Sequence, residues 1–272
     1  LGQEECATKT NAALKTERGL CNPSTSNYLN VVEHYWLMEE NIVPKHIAFI
    51  PDGMRRWARK NGREYREAYD IGIRKFGDVI KWLFKIKGIE VATFWAFSTE
   101  NFNRSDEEKA LLFALFEEFV SKGLEEYTKT NDERKSNAKI NFLGSISRFP
   151  ENVQENIRKV METTKNNGPY TVNIMMGYGG RQEILDAVND LIKEGAKEVD
   201  ENLFSRHLYT AGIPDPDIIV RTSGEKRLSG LMPWQSTYSE LCFLDKLWPE
   251  LEERDIAEIV DDYSRRKRRF GK

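Results

Sequence analysis

The sequence predicts an α/β fold: a central parallel sheet, helices on both faces, and an apolar tunnel between sheet and helices. Three observations carry that reading. Short apolar runs alternate with longer helical stretches along the chain, as in strand–helix–strand units. The runs are continuously apolar rather than alternating in and out, which is the pattern of strands covered on both faces. The longest helical stretch is apolar on more than one side, so it either lies deep in the core or lines an apolar cavity.

Taken in order, the expected strands are HIAFI (46–50), VATFWAFS (91–98), KINFLG (139–144), YTVNIMM (170–176), DIIVRTSG (217–224) and ELCFLD (240–245). Expected helices cover 70–87, 105–128, 149–166, 180–194 and 201–211, and a further helix opens at Met54–Arg56. In the 105–128 helix, Leu111, Leu112, Phe113, Leu115, Phe116, Phe119 and Val120 make up the broad apolar surface. Residues 1–40 read as an N-terminal tail, Thr-, Asn- and Ser-rich at first. A short amphipathic helix over Tyr28–Met38 follows, and residues 41–272 form the folded domain.

Composition narrows the function. Hydrophobic residues make up 39% of 272, enough for a large core, so wholesale disorder is excluded. Forty-one Lys and Arg against 44 Asp and Glu give a net charge of −3. A protein that relied on bulk charge to bind nucleic acid would be clearly basic, so no nucleic-acid partner is expected. Cys6, Cys21 and Cys242 match no zinc spacing and cannot all pair. No run approaches the ~20 apolar residues of a membrane span, and the first residues lack the apolar core of a signal peptide. A cytoplasmic protein is expected. The three histidines, at 34, 46 and 207, are too scattered to suggest a metal centre.

In a parallel sheet, ligands bind beyond the carboxyl ends of the strands, and the loops there hold unusual chemistry. PDGMRRWARK (51–60) follows the first strand. Asp52 and Gly53 make a turn into a helix whose free N–H groups suit an anion, with Arg55 and Arg56 adding charge. A carboxylate beside a diphosphate repels it unless Mg²⁺ lies between them. The plain alternative is a capping Asp on a basic helix. AFSTENFNR (96–104) brings Ser98, Asn101 and Arg104 to the mouth of the sheet, where they suit proton handling and phosphate contact, or ordinary turn and cap chemistry. RTSGEKRLS (221–229) sets Arg221 and Arg227 around Gly224 with Ser229 behind, a loop able to wrap a diphosphate or simply a solvated surface loop. Glu240 adds a carboxylate. Two diphosphate cradles, an acidic metal anchor and an apolar chamber together suit isoprenoid diphosphates. Neither a Walker A loop nor a Rossmann glycine fingerprint occurs.

The set PKHIAFIPDG, RRWA, WAFSTENFNR, GYGGRQEI, DIIVRTSGEKRLS, YSELCFLDKLWPEL and terminal RRFG, in this order from Pro44 to Gly271, resembles the cis-prenyltransferase family, which includes undecaprenyl and dehydrodolichyl diphosphate synthases. The resemblance implies that 41–272 is a catalytic domain. It implies that this domain condenses an allylic prenyl diphosphate with isopentenyl diphosphate to a Z-prenyl diphosphate. It makes Asp52 the catalytic aspartate holding Mg²⁺, with Glu240 helping to place the metal. Gly53, Met54, Arg55, Arg56, Trp57 and Arg104 then surround the allylic diphosphate, while Arg221, Arg227 and Ser229 hold isopentenyl diphosphate. Ser98 and Asn101 match a polar pair near the proton to be lost. It further implies a homodimer, with Arg269 and Gly271 of the C-terminal motif reaching across the interface. A product with a long hydrocarbon tail makes peripheral membrane contact plausible.

The chain also departs from the family pattern. Met54 stands where an amide side chain is usual, and Tyr65 and Tyr69 stand where an arginine and a histidine are common; Arg66 is a candidate replacement for that arginine. All lie near the allylic diphosphate. They motivate one alternative, head-to-middle joining of two allylic diphosphates on the same fold. A non-catalytic partner subunit is the alternative from another class, and the presence of Asp52, Arg221 and Arg227 weighs against it.

Overall fold

The computed structural model describes residues 43–129 and 138–266. The expected tail and amphipathic helix of residues 1–40, together with Arg269 and Gly271, lie outside the described residues.

Six strands form one fully parallel sheet: β1 (His46–Ile50), β2 (Val91–Ser98), β3 (Ala138–Leu143), β4 (Tyr170–Tyr178), β5 (Ile218–Arg221) and β6 (Glu240–Phe243). Their spatial order is β3-β4-β2-β1-β5-β6. The chain therefore builds outward from β1 on one side and returns to extend the other. This reversal falls between β1 and β5, and ligands bind at the carboxyl ends of such neighbours. All six sequence-expected strands are present.

The helices are α1 (Met54–Asn61), α2 (Tyr65–Leu83), α3 (Asp106–Lys129), α4 (Glu151–Thr164), α5 (Gly180–Lys193), α6 (Glu201–Ser205) and α7 (Glu253–Arg265). Three differ from expectation. α2 begins five residues earlier than the predicted Asp70, because Tyr65–Tyr69 continue its pattern and bury Ala68 and Tyr69. The expected 201–211 helix ends at Ser205. Beyond it, Ala211 N–H bonds to Leu208 and His207 N–H to Phe204, three residues back rather than four. These turns still set Phe204 and Leu208 against Ala187 and Leu191 of α5, so the apolar spacing is satisfied without a longer helix. α7 has no counterpart in the expected set, although Ile256, Ile259, Val260 and Tyr263 give it a buried face.

Residues of β1 alternate between the two faces of the sheet. Phe49 stacks on Phe94 of β2 at 5.3 Å between centroids, and Phe76 of α2 and Trp248 complete that cluster. Ala48 and Ile50 pack on the opposite side with Tyr178, Leu231 and Met232. A buried polar chain crosses the sheet from His46, whose Nε2 lies 2.7 Å from Thr93 Oγ1, through Asn173 to Asn141. Burial lowers the pKa of His46 to about 4 despite its bond to the Pro214 carbonyl. The two-sided apolar surface of α3 is spent on rings: Phe113 and Phe116 lie 5.9 and 6.0 Å from Phe97, and Phe113 lies 5.3 Å from Phe149. The expected tunnel between sheet and helices is not shown.

Candidate active site

The site starts where β1 ends. Gly53 has φ +107°, and a Cβ there would come within 2.8 Å of Leu247 Cδ2 and 3.1 Å of Ser223 Cβ, so only glycine fits this turn. Thr222, just past β5, fixes the same turn from the neighbouring strand. The Asp52 N–H donates to Thr222 Oγ1 at 2.9 Å, and the Thr222 hydroxyl donates to the Asp52 carbonyl at 2.8 Å. α1 then opens, with Trp57 N–H donating to the Gly53 carbonyl as the first helical bond. The N–H groups of Met54, Arg55 and Arg56 precede that bond and have no acidic residue in their own first turn, the arrangement that attracts anions.

Two arginines meet at the Asp52 carboxylate. Arg221 Nη2 donates to Oδ2 at 2.9 Å, and Arg56 Nη2 lies 3.9 Å from Oδ1. The Arg221 guanidinium is almost fully buried and also donates to the Arg227 carbonyl at 2.6 Å and to Ser229 Oγ at 2.8 Å. Its Nε is buried without a partner. Arg56 donates to the Ser223 carbonyl at 2.8 Å and to its hydroxyl.

A cavity of about 430 Å³ opens between these groups, lined by Asp52 through Arg56, Arg104 and Arg227. The first expected cradle thus lines this space, and the second reaches it through Arg227, with Arg221 and Ser229 set behind the wall. Arg59, Tyr69 and Glu225 line it as well, and no motif marks Arg59 or Glu225 in the sequence. Glu225 sits inside the RTSGEKRLS motif, where the arginines drew attention first. It lies 3.4 Å from Arg56 and accepts from Arg227 at 2.5 Å. Glu108, in the first turn of α3, is a further residue that carries no motif signal. It accepts from Arg104 Nη1 at 2.6 Å and from the Tyr69 hydroxyl at 3.1 Å, and Arg55 lies 3.8 Å away. Arg104 also donates to the Tyr69 hydroxyl at 2.8 Å. Burial raises the Tyr69 pKa, so the phenol stays protonated.

Other expected residues fall differently. Asn101 Oδ1 accepts the Ser98 N–H at 2.9 Å, and the Asn101 carbonyl accepts the Arg104 N–H, so this pair shapes the turn that carries Arg104. A register shift in β2 between Trp95 and Ser98 turns its end toward that mouth. Trp57 is half-buried and does not line the cavity. Arg66 is exposed beside Glu118, 4.0 Å away, and does not line the cavity either, so it does not replace the missing arginine. Glu240 lies at the amino end of β6, opposite Ile218, and accepts from Arg266 at 2.5 Å. Asp52 lies beyond the carboxyl end of β1, past Ile50, which pairs with Arg221. At about 3.3 Å per residue the two carboxylates of one chain sit near opposite ends of the sheet and cannot share an ion.

A parallel α/β sheet with arginines converging on one carboxylate at its switch point has the features of an enzyme that handles anionic, phosphate-bearing substrates. The comparisons with known proteins agree. The profile of the prenyltransferase family described as undecaprenyl diphosphate synthase matches residues 50–271, and the chain belongs to this family. It is 42% identical over 238 residues to a tritrans,polycis-undecaprenyl-diphosphate synthase (geranylgeranyl-diphosphate specific) of Thermoplasma volcanium, covering 84% of this chain and 89% of that one. It is equally similar, 42% over 238 residues, to an isoprenyl transferase of Fusobacterium nucleatum, covering 86% and 98%. The fold matches lavandulyl diphosphate synthase from Lavandula x intermedia in complex with dimethylallyl diphosphate, with a TM-score of 0.78 at 31% identity, covering 85% of this chain and 99% of that one. The protein is therefore a prenyltransferase enzyme. These likenesses do not favour the partner-subunit or head-to-middle alternatives.

Proposed function

We propose that this enzyme condenses an allylic prenyl diphosphate with isopentenyl diphosphate to give a Z-prenyl diphosphate and inorganic diphosphate. The observation that carries the reading is the joint hold of Arg221 and Arg56 on Asp52, which sets two diphosphate cradles side by side. In the reaction the allylic C–O bond breaks with its electron pair leaving on diphosphate. The terminal carbon of the isopentenyl double bond then bonds to the allylic carbon, leaving positive charge on the branched carbon. The CH2 between that carbon and the diphosphate-bearing carbon loses a proton, to the released diphosphate or water, and the Z double bond forms. Arg56, Arg104 and the α1 amides stabilise the departing charge where it develops. Arg221, Arg227 and Ser229 orient the acceptor diphosphate, so that its double bond lies against the allylic carbon. Ser98 and Asn101 are assigned to the handling of the lost proton by the family resemblance alone.

Mg²⁺ fits the donors present. Asp52 is about one-third exposed and its Oδ1 has no close donor, and Mg²⁺ commonly takes one or two carboxylates and completes its shell with substrate phosphates and water. Asp52 would hold the ion, with Glu225 at the cavity wall. Bound Mg²⁺ supplies charge neutralisation to the leaving diphosphate. Glu240 of the same chain is left out of this set.

The enzyme works as a homodimer in this reading. Leu185, Val188 and Ile192 stand exposed along one face of α5, with Tyr238 and Leu241 also exposed, which is apolar surface suited to a second copy. The free thiol of Cys242 fits a reducing, cytoplasmic setting. No helix among the described residues is long and apolar enough to cross a membrane.

The test is product analysis by mass spectrometry and NMR, with Mg²⁺ and allylic diphosphates of several lengths, with and without isopentenyl diphosphate. Isopentenyl-dependent products spaced by one isoprene unit are expected. A product from allylic diphosphates alone would overturn the connectivity proposed here.

A further inference from the structure

The loop from β5 to β6 has the least ordinary backbone of the described chain. Ser223, Ser229 and Met232 have φ of 81°, 54° and 46°, and they are the only non-glycine residues with positive φ among those described. Such residues persist where their surroundings over-determine them. At the start of the loop the hold is plain: Ser223 N–H donates to the Lys246 carbonyl at 2.7 Å and Gly224 N–H to the Leu244 carbonyl at 2.8 Å. In the middle, Arg221 itself gathers the Arg227 carbonyl and Ser229 Oγ.

The far end is held from α5, by a group the reaction does not use. Glu183 is fully buried. Its Oε2 accepts from the Tyr178 hydroxyl at 2.6 Å and from Gln235 Nε2 at 3.1 Å, and its Oε1 accepts the Tyr209 N–H at 3.0 Å. The same Tyr178 hydroxyl accepts the Met232 N–H at 3.2 Å. The carboxylate thus fixes where the hydroxyl proton points, which leaves the oxygen's lone pair for a left-handed residue of the loop. Gly180 N–H donates to the Gly230 carbonyl at 2.9 Å beside it, and a Cβ on Gly180 would overlap the Pro233 ring. A buried carboxylate without a cationic partner is costly to keep, and this one is kept by donors from Tyr178, Gln235 and the Tyr209 and Thr210 backbone.

We infer that Glu183 is a positioning residue for the Arg221–Arg227–Ser229 cradle. Acting through Tyr178 and Gln235, it clamps the 230–235 end of the loop from behind, so that Ser229 and the Arg227 carbonyl meet the Arg221 guanidinium. The assignment of isopentenyl diphosphate to that cradle rests on the function proposed above; the clamp itself rests on the loop.

The experiment compares the full-length enzyme with Glu183→Gln, whose amide sets a donor either against Tyr178 and Gln235 together or against the Tyr209 N–H. Hydrogen exchange of amides 225–233 is read first and needs no substrate. It is expected to quicken by about tenfold while residues 51–60 stay as they were. Steady-state kinetics are expected to show the KM for isopentenyl diphosphate rising by about tenfold, with kcat and the allylic KM within about twofold. Unchanged loop exchange in a folded variant overturns the clamp, and so does an equal rise of both KM values. If Glu183→Gln does not fold, Tyr178→Phe, which deletes one hydroxyl and keeps the carboxylate, carries the same comparison with the same signs. A parent enzyme without isopentenyl-dependent turnover would count against the proposed function and leave loop exchange to decide the clamp.

Discussion

The two cradles at the mouth of the sheet are built in opposite ways. Around Arg221 the hold is tight: the guanidinium is buried, makes three hydrogen bonds, to Asp52, the Arg227 carbonyl and Ser229, and sits in a loop of left-handed residues tied down at both ends. Around α1 the charges are open. Arg55 and Arg56 are 53% and 41% exposed, and Arg104 is shared between Tyr69 and Glu108 rather than held by backbone. A fixed cradle suits a co-substrate that is the same in every cycle, whereas an open one suits a substrate whose tail varies. The departures of this chain from its family's pattern, Met54 and Tyr69, also fall on the open side. There the side chains can be exchanged without unseating a loop.

Removing what the cradles share should have the largest effect. Asp52→Ala is expected to cost about a thousandfold or more in kcat, the scale of losing a charged group that acts on the transition state. The thermal midpoint should move by only a few degrees, because Asp52 is partly exposed and Arg221 keeps its other acceptors. Turnover within a few-fold of the parent would show that Asp52 is not where the cradles meet.

Next come the cradles taken separately. Arg221→Lys replaces a buried fork by a point charge that cannot bridge Asp52, Arg227 and Ser229. It should lower kcat/KM for isopentenyl diphosphate by about a hundredfold, or roughly 3 kcal/mol. Arg56→Lys, at an exposed site, should cost about tenfold or less against the allylic substrate. Equal losses in the two variants would erase the contrast between fixed and open sides.

Acid provides a check that treats both cradles alike. His46 stands at the amino end of β1, away from the site, with its pKa lowered to about 4 by burial. Its unfolded pKa is near 6.5, so between those values the unfolded chain binds a proton that the fold refuses. The stability it contributes is complete above pH 6.5 and is lost as pH falls toward 4, by roughly 3 kcal/mol in total. Chemical denaturation from pH 7 to 4.5 should show the decline, and His46→Gln should flatten it. An acid sensitivity confined to one substrate's KM would place its origin in a cradle instead.

Much of this is legible in the sequence alone. Continuous apolar runs marked all six strands, because a parallel strand buried on both faces leaves no polar alternation. The loops that follow β1, β2 and β5 announced themselves by charge. What could not be read was what side chains do once a sheet brings distant segments together. Glu225 and Glu108 are ordinary acids in the sequence and become counter-charges only when Arg56 and Arg104 arrive beside them. Glu240 looked like a metal ligand by motif, yet its place in the register of β6 sets it at the far end of the sheet from Asp52. The 201–211 segment kept its apolar spacing but met it with turns, since two buried residues, Phe204 and Leu208, can be seated either way.

The smallest effect should come from the open side's own departure. Tyr69→Phe removes a hydroxyl that accepts from Arg104 and donates to Glu108, leaving the ring and its packing in place. Arg104 then has only Glu108 to answer to, and the ion pair tightens as the shared hydroxyl goes. A diphosphate must draw Arg104 out of that pair, so the allylic KM should rise by about two- to fivefold, under about 1 kcal/mol, with kcat and the isopentenyl KM unchanged. Glu108→Gln in the same background should reverse the rise, because it weakens the hold on Arg104. If Tyr69→Phe instead lowers kcat with both KM values constant, the hydroxyl acts on the reacting diphosphate itself, and the open cradle is more committed than its exposure suggests.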